Sequence, residues 1–221
     1  MANYKCISII ITFTTKVKNS SSIFIKLFTL ALKEILLIDN YDSFTFNLVH
    51  LIEGCANVNV RVIKNDNPQL FSIVNEYNQI VISPGSGLPK EAGHLAEVLK
   101  QIIPSKKVLG VCLGHQAIAE FAGAQLFNLP QVFHGVAHKM IVYNKESIFR
   151  NLPNIFSVAR YHSWMVDNKS NIDNLQILAS DEQDGIMAFK LKELPVFGVQ
   201  FHPESILCEH GKEIILNWLN I

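Results

Sequence analysis

Cys112 stands in the run Gly110-Val111-Cys112-Leu113-Gly114-His115-Gln116, with a glycine two residues before it and two after. An apolar run leads into it and helix-forming residues follow. This is the layout of a nucleophile elbow, G-x-S-x-G, with cysteine in place of serine. The glycines let the backbone turn sharply without a Cβ clash. A helix that starts at the thiol favours the reactive thiolate, because its N-terminus carries partial positive charge. A free cysteine with pKa about 8.5 is only a few per cent thiolate at neutral pH, so that field matters. On this segment alone, a small buried cysteine at a tight strand–helix turn is the competing reading.

A thiol nucleophile needs a base. The run Val199-Gln200-Phe201-His202-Pro203-Glu204-Ser205 follows an expected strand. His202 and Glu204 are one residue apart, with Pro203 stiffening the loop between them. The carboxylate can accept from one imidazole nitrogen while the other faces the thiol, the logic of a Cys–base–orienter triad. A lone histidine would read as structural; His-Pro-Glu after a buried strand, paired with a cysteine elbow, points to catalysis.

The third segment is Ser83-Pro84-Gly85-Ser86-Gly87-Leu88-Pro89, also at a strand end. A glycine-rich loop can cradle a phosphate, but this one lacks the Gly-Lys-Ser/Thr of a P-loop. Its better use is to present backbone N–H groups to an oxyanion or a small polar substrate. One donor from this loop and the N–H of Leu113 would make an oxyanion hole, about 3 Å from the developing charge. Among the other histidines, His50, His94, His138 and His210 read as surface or loop residues, and His115 as facing away from the elbow. Cys55 and Cys208 lack a glycine frame and read as structural, and no Cys/His cluster has zinc spacing.

The elements that must position these groups alternate. Glu34–Ile38, Val58–Ile63, Gln79–Ser83 and Lys107–Val111 read as short buried strands, with helices over Phe44–Glu53, Glu91–Ile103 and from Cys112 to about Ala122. Such alternation predicts an α/β fold with a doubly wound, mostly parallel central sheet covered on both faces. Sites in these sheets lie at the carboxyl ends of strands, so the loops at Asp39–Ser43, Pro84–Gly87 and Cys112 are expected to converge. The C-terminal half reads as additional strands, expected to be antiparallel, at His138–Tyr143, Ile155–Tyr161, Gln176–Ala179, Ile186–Lys190 and Val196–Phe201, closed by a helix at Glu209–Leu219.

Composition agrees with a globular chain. It has 221 residues, 49% of them hydrophobic, and 19 basic against 19 acidic residues. That apolar content excludes intrinsic disorder, and zero net charge leaves no basic footprint for nucleic acid. The four cysteines form no disulfide pattern and fit free thiols in a reducing compartment. The balance is uneven along the chain. Residues 1–33 hold five lysines and no acid; residues 34–221 carry a net charge of −5. We expect an N-terminal extension at 1–33 and one domain at 34–221. Neither apolar run of the extension reaches the ~18 residues of a membrane span. An inert extension, a targeting leader and a membrane contact remain its three readings. The expected location is the cytoplasm, or a plastid or other organelle if the extension is a leader.

With these segments together, the chain resembles the class I, triad-type glutamine amidotransferases, and within them the group of anthranilate synthase component II and the para-aminobenzoate synthase amidotransferase. The matching segments are Leu37–Phe44, Ser83–Pro89, Gly110–Gln116, His134-Gly135, Arg160–Ser163 and Gly198–Ile206. The resemblance implies a flavodoxin-like sheet and a triad of Cys112, His202 and Glu204. It implies oxyanion-hole amides from Gly85 and Leu113, and glutamine contacts from Gly85, Ser86, Gly87, Gln116, Ser163 and Trp164. Cys112 would form a thioester with glutamine and release ammonia; water would then release glutamate. No cofactor or metal is implied in this subunit. The implied partner is a chorismate-binding synthase subunit, anthranilate synthase component I or its para-aminobenzoate counterpart. Ser86 replaces the family's usual proline and Trp164 a usual leucine; neither removes a catalytic group.

The expected function is therefore the glutaminase subunit of anthranilate synthase, supplying ammonia for tryptophan synthesis. The alternatives are the same subunit for 4-amino-4-deoxychorismate in folate synthesis, one subunit serving both, or a stand-alone cysteine γ-glutamyl hydrolase. A non-catalytic binding subunit is disfavoured by the intact Cys112, His202 and Glu204 set.

Overall fold

A computed structural model describes residues 32–145 and 147–221. The reading of the N-terminal extension lies outside the described residues, apart from Leu32 and Lys33. The first strand already includes Lys33.

Among the described residues eleven strands and five α-helices follow in order: β1 (Lys33–Asn40), α1 (Thr45–Glu53), β2 (Val58–Lys64), α2 (Leu70–Ile73), β3 (Gln79–Gly85), α3 (Leu95–Ile102), β4 (Lys107–Val111), α4 (Leu113–Phe121), β5 (Leu126–Asn128), β6 (Val136–Val142), β7 (Ile155–Arg160), β8 (Trp164–Val166), β9 (Leu175–Asp181), β10 (Ile186–Leu191), β11 (Val196–Val199) and α5 (Gly211–Asn220). Nine strands form one sheet in the order β2-β1-β3-β4-β11-β10-β9-β6-β7. From β2 to β11 all pairs are parallel; from β11 to β7 all are antiparallel. The sheet is thus mixed, a parallel core extended by the antiparallel C-terminal strands. β5 and β8 make a separate two-stranded ladder.

The parallel strands are apolar throughout because both faces are covered. Along β1, Ile35 and Leu37 enter one core with residues of α1 and α5, while Leu36 and Ile38 enter the other with residues of α2, α3 and α4. All four are fully buried, each worth about 1.5–3 kcal/mol relative to exposure.

Two local expectations change. The helix expected from Glu91 begins at Leu95, because Pro89–Glu91 forms a separate 3-10 turn and Gly93 packs against Asn65. Asn65 also holds the helix entry, its carbonyl accepting the His94 N–H at 3.0 Å. The short elements α2, β5 and β8 were not expected; three or four residues are too few for a periodic signal.

Candidate active site

The β4–α4 turn is tightly packed. A Cβ on Gly110 would come within 2.4 Å of Gly114 O, and one on Gly114 within 2.6 Å of Ile82 O, so only glycine fits at either position. Cys112 between them has φ +52°, a conformation L residues rarely adopt. Strain of this kind costs on the order of 1–3 kcal/mol and gathers at functional sites. Its backbone N–H is held by Val199 O on neighbouring β11, at 2.9 Å. Leu113 opens α4, so its N–H has no carbonyl partner within the helix.

His202 follows β11 and is 2% exposed. Its Nδ1 lies 2.7 Å from Glu204 Oε1. Its N–H donates to Ala159 O on β7, and its ring packs against both Tyr161 and Phe44, at centroid distances of 4.8 and 5.9 Å. Burial alone would lower the imidazole pKa; interactions with Cys112 and Glu204 outweigh it and raise the value to about 10. The ring is therefore placed to hold a proton between the Cys112 sulfur and the Glu204 side chain. Its other ring nitrogen, Nε2, is buried and has no hydrogen-bond partner within normal geometry among the described residues.

Two cavities meet at Cys112. One, about 120 Å³, is lined by Gly85, Ser86, Gly87, Gln116, Ser163 and Trp164, together with Cys112, Tyr161 and His162. All six expected glutamine contacts thus share one cavity with the thiol. The other, about 170 Å³, holds Asp42, Ser43, Phe44, Pro84, Gly85, His134, Tyr161 and His202 beside Cys112. The three strand-end loops expected to converge do so here. A larger cavity of about 350 Å³ between α3 and α4 contains none of these residues.

The walls are braced from behind. Asn40 donates its N–H to Ser83 Oγ and its Nδ2 to Ser83 O, at 2.8 and 2.9 Å, tying β1 to the glycine loop. His162 Nδ1 lies 3.0 Å from Trp164 O, and its Nε2 accepts from Arg160 Nε at 3.1 Å. Burial and then the Arg160 charge push the His162 pKa down to about 3, so it is a neutral spacer and not a second base. Arg160 is buried over the Phe133 ring and paired with Asp181 at 2.7 Å. His115 turns into the core against Phe189, and burial lowers its pKa to about 3. Burial raises the Cys208 thiol to about 12, consistent with a structural role, and raises Cys55 as well.

One polar neighbour of the thiol escaped the sequence reading. Gln200 is fully buried and its Nε2 lies 3.7 Å from Cys112 Sγ. Only strand pairing could have found it: Val111 pairs with Val199, which sets the next residues, Cys112 and Gln200, side by side.

A strained cysteine at a strand–helix elbow, an imidazole–carboxylate pair beside it and a glycine loop opposite form the constellation of thiol-dependent acyl transfer. The family model for class I glutamine amidotransferases matches residues 36–221. The chain belongs to the class I glutamine amidotransferases. Relatives of this amidotransferase include anthranilate synthase component 2 of Pyropia yezoensis, 40% identical over 84% of this chain and 98% of that one. Anthranilate synthase component 2 of Lactococcus lactis is 39% identical over 84% and 93%. The bifunctional protein TrpGD of Thermotoga maritima is 41% identical over 87% of this chain and 33% of its own. A crystal structure of a Thermoplasma acidophilum protein superposes with a TM-score of 0.75 at 24% identity, covering 86% of the amidotransferase chain and 93% of its own, and shows the shared fold. Among the described residues no His, Cys, Asp and Glu group is arranged to hold a metal, and no helix is long and apolar enough to cross a membrane.

Proposed function

We propose that this amidotransferase is the glutaminase subunit of anthranilate synthase, with residues 34–221 as the catalytic domain. The observation that carries the chemistry is Cys112 at the junction of the two cavities, with His202 lining one of them and Glu204 paired to His202 behind it. Cys112 Sγ attacks the side-chain amide carbon of glutamine held against Gly85, Ser86, Gly87, Gln116, Ser163 and Trp164. The oxyanion is stabilised by the N–H groups of Gly85 and Leu113. His202, oriented by Glu204, gives its proton to the departing nitrogen, and ammonia leaves a thioester on Cys112. Water then loses a proton to His202 and attacks the thioester, releasing glutamate and restoring the thiolate. No step uses a cofactor.

The pathway reading rests on relatives about 40% identical over nearly their whole length and named anthranilate synthase component 2. It implies a separate chorismate-using synthase subunit that receives the ammonia. The test is copurification with an anthranilate synthase component I and with its para-aminobenzoate counterpart, followed by identification of the aromatic product. Anthranilate from glutamine is expected. Aminodeoxychorismate alone would move the chain to the folate branch. Rapid glutamine hydrolysis with no response to either subunit would make it a stand-alone hydrolase. In the complex, Cys112→Ser is expected to abolish glutamine-dependent synthesis and spare the ammonia-dependent reaction.

A further inference from the structure

Cys112 Sγ accepts a hydrogen bond in the structure from a side chain outside the triad. Gln200 Nε2 donates to it at 3.7 Å, a length suited to a sulfur acceptor, with both side chains buried. The orientation of the Gln200 amide is set by its other end. Gln116 Nε2 donates to Gln200 Oε1 at 3.1 Å and to Trp164 O at 2.8 Å. Both protons of the Gln116 amide are thereby committed, the Gln200 carbonyl is occupied, and the Gln200 NH₂ is left toward the sulfur. The backbone is equally constrained: Gln200 N donates to Met187 O and Cys112 N to Val199 O, each at 2.9 Å.

We propose that the Gln200 side-chain amide is part of the catalytic apparatus, a fixed donor that stabilises the Cys112 thiolate. This rests on the reading of Cys112 as the nucleophile. A donor to sulfur binds the anion more strongly than the neutral thiol or the thioester. It therefore favours the thiolate before attack. It favours the thiolate again during hydrolysis, as charge returns to Sγ when the tetrahedral intermediate expels it. His202 cannot fill this place, because it must release its proton during the reaction; the Gln200 amide keeps its protons throughout. The chain Trp164 O, Gln116, Gln200, Cys112 also joins the glutamine-binding wall to the nucleophile.

The test is the pH profile of Cys112 alkylation by iodoacetamide in the full chain, mapped by mass spectrometry to separate it from the other cysteines. The titratable groups facing the thiol are His202, Asp42 and His134 in one cavity, His162 in the other and Tyr161 in both, with Glu204 behind His202. All are unchanged in the Gln200 variants. In Q200M the alkylation midpoint is expected to rise by about one to two pH units, the worth of a hydrogen bond to a charged group, with roughly tenfold slower labelling at neutral pH. Q200E keeps the volume and the acceptor toward Gln116 and is expected to raise the midpoint further. It carries the test if Q200M does not fold, with near-UV circular dichroism as the check. A folded variant with the wild-type midpoint would overturn the proposal. A Cys112→Ala chain that still used glutamine would instead overturn the nucleophile reading, so the two failures are distinct.

Discussion

Gly85 lies so close to Asn40 that a Cβ on it would fall 2.7 Å from Asn40 Cβ and 2.9 Å from Asn40 O. Asn40 cannot yield, because Ser83 holds its N–H and Nδ2, and Asn65 donates to its Oδ1 at 3.0 Å. The glycine loop must move instead. Gly85→Ala is therefore expected to misplace an oxyanion donor and lower kcat for glutamine about 100-fold or more. Steady-state assays of the complex with glutamine and with ammonia check this; only the first should fall. Normal glutamine turnover would remove Gly85 from the oxyanion hole.

Glu204, 2.7 Å from His202 Nδ1, is the proposed orienter of that ring. Glu204→Gln is expected to cut kcat by roughly 100-fold to 10,000-fold with a much smaller change in KM. It also has a stability signature. The folded-state pKa of His202 is raised from 6.5 to about 10, so the protonated ring contributes stability in full below about pH 6.5 and loses it as pH rises through 10. Urea unfolding at pH 7, 9 and 11 should show that alkaline loss in the parent and a smaller one in Glu204→Gln.

His115 and His162 predict the opposite limb. Both are held neutral, with pKa values lowered to about 3 first by burial. The unfolded chain takes up these protons below pH 6.5, so stability falls as pH drops from 6.5 toward 3. Each group contributes up to about 1.4 kcal/mol per pH unit in that window. His115→Leu should make the acid slope shallower when urea midpoints are compared between pH 7 and pH 4.

The Arg160–Asp181 pair is a structural element of the site wall, with Arg160 only 2% exposed. Asp181→Ala leaves a buried guanidinium without its counter-charge. Breaking such a pair costs about 3–5 kcal/mol, which thermal unfolding would register as a large drop in Tm. A stability within 1 kcal/mol of the parent, as an approximate threshold for a pair of no consequence, would contradict the buried-pair account.

The proposed catalytic groups were legible because the spacing that joins them is local. The elbow needs glycine at positions 110 and 114, two residues either side of Cys112, and the His-Pro-Glu spacing brings a carboxylate to an imidazole within one loop. The parallel strands were legible for a similar reason: burial on both faces leaves an uninterrupted apolar run such as Ile35–Ile38. The start of α3 was not, because Gly93 answers to Asn65, a residue nearly thirty positions earlier.

By itself, then, the sequence pointed to the proposed nucleophile, its proposed base and the glycine loop, and determined the parallel core, since each depends on near neighbours and on residue type. Tertiary structure alone decided which residues meet across strands. The pairing of β4 with β11 sets Gln200 beside Cys112, and β9 and β7, which flank β6, carry Asp181 and Arg160, whose side chains meet. Such contacts join positions 21 and 88 residues apart. No spacing rule reaches them, because strand register is a property of the assembled sheet.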